Sequence, residues 1–391
     1  MPIFPKKKRI FLDYASTTPV LPEIAKVMAP FLQEQFANPS ALYKEGVEAR
    51  AAVSEARLAI ARTLGVRKDE IVFTGSGTES INLAILGVAN AYKGKRPPHI
   101  ITTKIEHASV RKAVEEVERM GGKVTAISPN EEGMVSATDV FEAITEDTVL
   151  VSVMYANNEI GTIQPIKEIG RTIHEYREAR KKKYPYFHTD ASQAANYLPV
   201  SPSRFYADLM TLDATKMYGP KGVGMLYVKE GTHITPIIHG GGQENGLRSG
   251  TENTGAIVGM ARALLIAQTD REKEFERLKN LRDYCISQIK KYFPSATING
   301  SATERLPNNA NICFPGIDSE FAVISLDAEG IAVSAASSCR TLAERSSSYV
   351  IEAIGKKECA SSSLRFSFGR FTTKEEVDAL LKGLVRRIRS N

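Results

Sequence analysis

Cysteine is scarce in this 391-residue chain, which carries only Cys285, Cys313, Cys339 and Cys359. None stands in a C-x-x-C pair, which argues against a structural zinc site and against a dithiol redox motif. Four cysteines over this length make no disulfide framework, so each is read alone, as a buried apolar residue or a reactive thiol. Long apolar runs are also missing, so no bilayer-spanning segment is expected. The N-terminal residues lack the basic, apolar and small-residue order of a signal peptide, which makes the cytoplasm the expected compartment. No internal repeat and no low-complexity segment is present. Charge is close to balanced: 51 Lys and Arg against 45 Asp and Glu give +6. Part of that excess is the run Lys6 to Arg9, read as a solvated tail and not a nucleic-acid patch. No direct nucleic-acid partner, no membrane and no metal are expected.

What is present is an ordinary globular composition, 42% hydrophobic and 25% charged, in a chain long enough for two domains. Short β-branched runs alternate with helical patterns. Strands are expected at 71–74, 99–103, 148–155, 184–189 and 209–212, with helices after 74, at 110–120 and at 166–180. This is the pattern of an α/β fold whose mostly parallel sheet is covered on both faces. The run 222–228 returns after a Gly/Pro turn as one antiparallel member. A long helix over about 256–293 then leads to a smaller α/β unit. Leu278, Leu281, Cys285 and Ile289 mark its apolar face. The smaller unit has strands at 311–314, 332–334 and 364–368, a helix at 320–326, and a last helix capped by Thr373 and Glu376. The expected domains are 19–260 for the large one, and 1–18 with 261–391 for the small one.

Ligands of such sheets bind where strands end. Thr74-Gly-Ser-Gly-Thr-Glu-Ser80 lies between a strand and a helix, where free N–H groups and the helix dipole favour a phosphate. The same run also fits a merely capped helix, and no Gly-Lys-Ser/Thr follows to make it a P-loop. Asp190 closes one predicted strand and Lys216 follows the next. Pyridoxal phosphate (PLP) chemistry needs an amine to form a Schiff base and an acid to keep a pyridine nitrogen protonated. An Asp and a Lys about one β-α-β unit apart supply both. His107, after the strand at 99–103, joins the same rim, where an imidazole can stack on a flat ring or move protons; a loop histidine bonded to backbone is the plainer alternative. Cys339 stands among small and polar residues, a composition that suits a mobile loop, with Arg340 and Arg345 nearby to favour thiolate.

The chain resembles the cysteine desulfurases that supply sulfur for iron–sulfur clusters and thiolated tRNA. The resemblance runs nearly the whole length. It is carried by Leu12-Asp-Tyr-Ala-Ser-Thr-Thr-Pro19, Phe36-Ala-Asn-Pro39, Gly-Thr-Glu-Ser80, Glu106-His107, Asn157-Asn-Glu-Ile-Gly161 and His188-Thr-Asp-Ala-Ser-Gln193. Tyr218-Gly-Pro-Lys-Gly222, His239-Gly-Gly-Gly242, Arg248-Ser-Gly-Thr251, Ser337-Ser-Cys339 and Ser363-Leu-Arg-Phe-Ser-Phe-Gly-Arg-Phe-Thr372 continue it. It implies a fold-type-I PLP enzyme that takes sulfur from L-cysteine, releases L-alanine and carries the sulfur as a Cys339 persulfide. Lys216 is the implied Schiff-base lysine and the mover of the Cα proton. Asp190 would pair with the pyridine nitrogen, Gln193 with the ring hydroxyl, and His107 would stack on the ring and shuttle protons. Gly77, Thr78 and the Thr215 hydroxyl would serve the phosphate, with Thr251 reaching across from a second subunit of a homodimer. Arg365 and Asn158 would hold the substrate carboxylate. A sulfur-acceptor protein, of scaffold or tRNA-thiolation type, is the implied partner. Two positions depart from the usual pattern: Asp213-Ala-Thr215 replaces Ser-Gly-His before the lysine, and Ala336-Ser-Ser338 replaces Gly-Ser-Ala before the cysteine. A selenocysteine lyase or an aminotransferase of the same fold, and a sulfur-assembly binding partner with weak catalysis, are the competing readings.

Overall fold

The computed structural model describes residues 9–335 and 347–388. Cys339, with its neighbours Arg340 and Arg345, lies outside the described residues. Seven strands form the main sheet: β1 (Ile71–Thr74), β2 (His99–Thr103), β3 (Lys123–Ile127), β4 (Thr148–Ser152), β5 (Tyr186–Asp190), β6 (Leu209–Asp213) and β7 (Gly224–Val228). Their spatial order is β1-β7-β6-β5-β4-β2-β3. Only β7 pairs antiparallel to its neighbours, while β6, β5, β4, β2 and β3 run parallel.

Period-two alternation places the two faces of this sheet in two apolar layers. Ile71 and Phe73 enter one layer, with Val151, Phe187 and Met210. Val72 enters the other, with Ile100, Leu209 and Leu226. Helix α1 (Lys44–Leu64) covers the first face through Ala49, Val53, Ala56, Ile60 and Leu64. Helices α2 (Gly77–Ala91) and α3 (Ala108–Arg119) cover the second, and α4 (Ile166–Arg180) returns to the first.

Helix α5 (Thr254–Tyr292) is 39 residues long. Its first half buries Ala256, Ile257 and Met260 against the main sheet. Its second half buries Leu278, Cys285 and Ile289 in a separate core, with Leu281 packed at its edge. That core lies on a four-stranded antiparallel sheet of order β10-β11-β9-β8: β8 (Thr297–Ile298), β9 (Asn309–Cys313), β10 (Ser334–Ala335) and β11 (Ser363–Ser367). Helices α6 (Ser319–Ala328), α7 (Tyr349–Ala353) and α8 (Lys374–Ile388) complete this part. Thr373 Oγ1 accepts the Glu376 N–H while Glu376 accepts the Thr373 N–H, the reciprocal cap read from their spacing.

Two expectations need correction. The run 332–334 is not one strand: Ile331–Ala332 pairs with Ile10–Phe11 and Ser334–Ala335 pairs with β11, so the chain changes sheets at Val333. The cysteines are not all separate either. Cys313, at the end of β9, and Cys359 form a disulfide. They are 46 residues apart in sequence, and the pairing of β9 with β11 brings them together. Cys285 is free and buried, and burial pushes its thiol up to about 12. Among the described residues no helix is long and apolar enough to cross a membrane.

Candidate active site

A parallel sheet delivers all its strand ends to one edge, and here five of them open into one cleft. β1 leads to Gly77 and Thr78, β2 to His107 and Ser109, β4 to Met154, Ala156 and Asn158, β5 to Asp190, Ser192 and Gln193, and β6 to Asp213 and Lys216. Ala15 and Arg365 close the cleft from the side of the smaller sheet. Its volume is about 510 Å³, including the part open to solvent.

Lys216 sits one short turn beyond β6, and its Nζ donates to the carbonyls of Ala15, at 3.2 Å, and Ser16. Gln193 Nε2 donates to the same Ala15 carbonyl at 2.9 Å. The segment 13–16 is thus tied over the strand ends by the residues beneath it. Asp190 ends β5, and its Oδ1 accepts the Ser192 N–H at 3.0 Å, which fixes the carboxylate at the rim. His107 caps α3. Its Nδ1 accepts the Ser109 N–H at 3.2 Å, which puts the proton of a neutral ring on Nε2. Burial lowers the His107 pKa, and Lys216 adds to this while the Asp190 and Asp213 charges oppose it.

Arg365 lies on β11 and is 2% exposed. Its Nη1 donates to the Asn158 carbonyl at 2.9 Å. Its Nη2 donates to Asp13 Oδ1 at 2.7 Å, Ser16 Oγ at 2.8 Å and Ser334 Oγ at 3.2 Å. The Arg365 Nε and the Asn158 Oδ1 are buried with no partner among the described residues. At the other end Ser76 caps α2 by accepting the Glu79 N–H at 3.1 Å. The Glu79 carboxylate turns back to the Gly75 N–H at 2.8 Å and pairs with Arg248.

The cleft therefore gathers Gly77, Thr78, His107, Asn158, Asp190, Gln193, Lys216 and Arg365. It does not gather Thr215, whose N–H is spent on Asp213 Oδ1 at 2.9 Å and whose carbonyl receives Thr18. Thr251 is exposed and does not line the cleft either. The sequence reading assigned no role to Asp13, Ser16 or Glu106, although all three stand inside the segments quoted above. Glu106 is fully buried. Its Oε1 accepts from Thr103 Oγ1 and the Met154 N–H, both at 2.9 Å, and its Oε2 has no partner among the described residues. Burial pushes its carboxyl up to about 8.

A family model described as "Aminotransferase class-V" matches residues 10–380. "Cysteine desulfurase IscS" of Dictyoglomus turgidum is 44% identical over 97% of this chain and 94% of its own length. The protein of the same name from Methanosarcina thermophila is 42% identical over 96% of this chain and 91% of its own. This chain belongs to the class-V aminotransferase family, among its cysteine desulfurases. A solved "NifS-like protein" shares the fold with a TM-score of 0.90 at 34% identity, covering 98% of this chain and all of that one.

Enzymes of this family depend on PLP, and the residues of the cleft fit that group. An amine and a carboxylate stand at neighbouring strand ends, an imidazole stands beside them, and a glycine opens the helix behind. A Cβ at Gly77 would come within 3.0 Å of the Asp213 side chain, so a glycine lets the start of the helix lie this close to the end of β6. The Asn158 Oδ1 and Arg365 Nε mark polar capacity that the described residues leave unused.

Proposed function

We propose that the protein removes sulfur from L-cysteine with PLP, releases L-alanine, and holds the sulfur as a persulfide on Cys339. The observation that supports this most is the convergence of Lys216, Asp190, His107, Asn158 and Arg365 on one cleft. Bound PLP supplies an electron sink that loosens the substrate's Cα proton. Lys216 would provide the amine that holds the cofactor and would carry that proton. Asp190 would hold the pyridine nitrogen protonated, Gln193 would serve the ring hydroxyl, and neutral His107 would lie against the ring and pass protons through Nε2. Gly77 and Thr78 would serve the phosphate, with Thr251 contributed by a second subunit. Arg365 and Asn158 orient the substrate carboxylate. The Cys339 thiolate bonds the substrate sulfur as the C–S bond breaks, and the electron pair stays with carbon, which is then protonated.

The acting form is a homodimer. The exposed apolar residues Leu32, Phe36, Leu42 and Tyr43, close together in sequence, support a covered face. Residues 19–260 form the large domain, with 1–18 and 261–391 as the small one. The compartment is the cytoplasm, and the persulfide passes to an acceptor protein of iron–sulfur assembly or tRNA thiolation.

The test pairs two variants. Lys216→Ala should lose the absorbance band that PLP gives when bound to the protein. Cys339→Ser should keep that band, release little alanine, and show no added sulfur in its mass after brief exposure to cysteine. Undiminished alanine release in Cys339→Ser, or an added sulfur on Cys285, overturns the assignment of the persulfide to Cys339.

A further inference from the structure

The first turn of α2 already has an anion on it. The Gly77 N–H points at Asp213 Oδ2, at 3.3 Å, and the other carboxylate oxygen accepts the Thr215 N–H at 2.9 Å. Asp213 ends β6, so its side chain bridges the gap between two strand ends and lines the cleft beside Gly77 and Thr78. It forms no ion pair among the described residues. The hydrogen bonds on its carboxylate come there from peptide N–H groups, at the positive end of a 15-residue helix. Those are the same groups that attract a phosphate.

We propose that Asp213 is a resident anion in the cradle of the cofactor phosphate, and that it sets how strongly this chain distinguishes phosphorylated from phosphate-free cofactor. The inference rests on the PLP reading above. Two negative charges cannot share one helix end without loss, so the incoming phosphate must displace the carboxylate from the Gly77 N–H or bind beside it under repulsion. In both cases the phosphate adds less to affinity than the cradle geometry permits. The carboxylate meanwhile stabilises the start of α2 when no cofactor is bound.

The test uses the full-length chain freed of cofactor with hydroxylamine, then titrated by absorbance with PLP and with pyridoxal, which lacks the phosphate. Asp213→Asn keeps the shape and an oxygen acceptor for the Thr215 N–H but removes the charge. It should bind PLP about tenfold more tightly than the unchanged chain, while pyridoxal affinity stays within about twofold. Asp213→Ser, a good cap of different size, should move the same way. Without cofactor both variants should melt at a lower temperature than the unchanged chain, so affinity and apo-stability move in opposite directions. A role confined to capping would lower stability without tightening PLP. Equal or weaker PLP binding in both variants overturns the proposal, as does an equal gain for PLP and pyridoxal. If the unchanged chain takes up neither compound, the PLP reading falls and takes this proposal with it.

Discussion

The two ends of the cleft each hold a carboxylate, but by different means. At one end Asp13 pairs with Arg365 at 2.7 Å, and that guanidinium is further tied to Ser16, Ser334 and the Asn158 carbonyl. At the other end Asp213 rests on the N–H groups of Gly77 and Thr215, with no ion-pair partner among the described residues. Ion pairing leaves the first end close to neutral and geometrically fixed, with Nε a donor unspent among the described residues. Peptide dipoles leave the second end fixed but negative. A third carboxylate, Glu106, lies behind the cleft and is silenced by neither route: burial pushes its carboxyl up to about 8, so it keeps its proton. Cation, dipole and proton are three ways to hold a carboxylate in one site, and they differ in what happens when the partner is removed.

The largest effect is expected where a cation is removed. Arg365→Ala leaves Asp13 without its partner and takes away the carboxylate fork. It should cost about 3 kcal/mol in urea unfolding, in line with breaking a buried pair. Its kcat/KM for cysteine should fall by about a hundredfold or more. A loss below tenfold would mean that Arg365 does not hold the substrate. Asp13→Asn should act more gently and asymmetrically. With its counter-charge gone but its other acceptors in place, Arg365 should draw the substrate carboxylate more strongly, lowering KM by about threefold, while the looser fork lowers kcat. A KM that rises instead would show that Asp13 serves geometry and not charge balance. That result would break the contrast with Asp213.

The smallest effect concerns the proton. Folded Glu106 keeps its proton up to about pH 8, whereas the unfolded chain releases it near the ordinary glutamate value of 4.5. Between those values the folded state binds more protons, so stability falls as pH rises through this window and levels off above it. Glu106→Gln has no proton to lose, and its melting temperature should decline less from about pH 5 to about pH 9. Parallel profiles for the two proteins would show that Glu106 is not held neutral.

The sequence revealed those parts of the fold and site whose signals are local. The β-branched runs at 71–74 and 99–103 are strands over those same residues, and the spacing of Leu278, Cys285 and Ile289 located the buried stripe of α5. Asp190 and Lys216 were legible as a pair because neighbouring parallel strands put their ends side by side. Helix α1 escaped notice: alanines supply much of its buried face, and Ala49 and Ala56 contrast little with their polar neighbours. Strand β3 was missed as well, since it lies at the sheet edge and none of its residues is fully buried. Partners distant along the chain left no trace. Asp13 and Arg365 are 352 residues apart, and only the fold pairs them. The same holds for Cys313 and Cys359. Asp213 is intermediate, because its charge was visible beside the lysine but its seat on the Gly77 N–H was not.

The Cys313–Cys359 bond has a topological consequence. It turns residues 313–359 into a closed covalent hoop, and Cys339 lies within that hoop by its position in the chain. A cut at any peptide bond inside the hoop leaves one molecule, whereas a cut outside it leaves two. Sulfur handed on from Cys339 would therefore depart from a tether anchored at both ends, and a nick beside it would open the hoop without setting either half adrift.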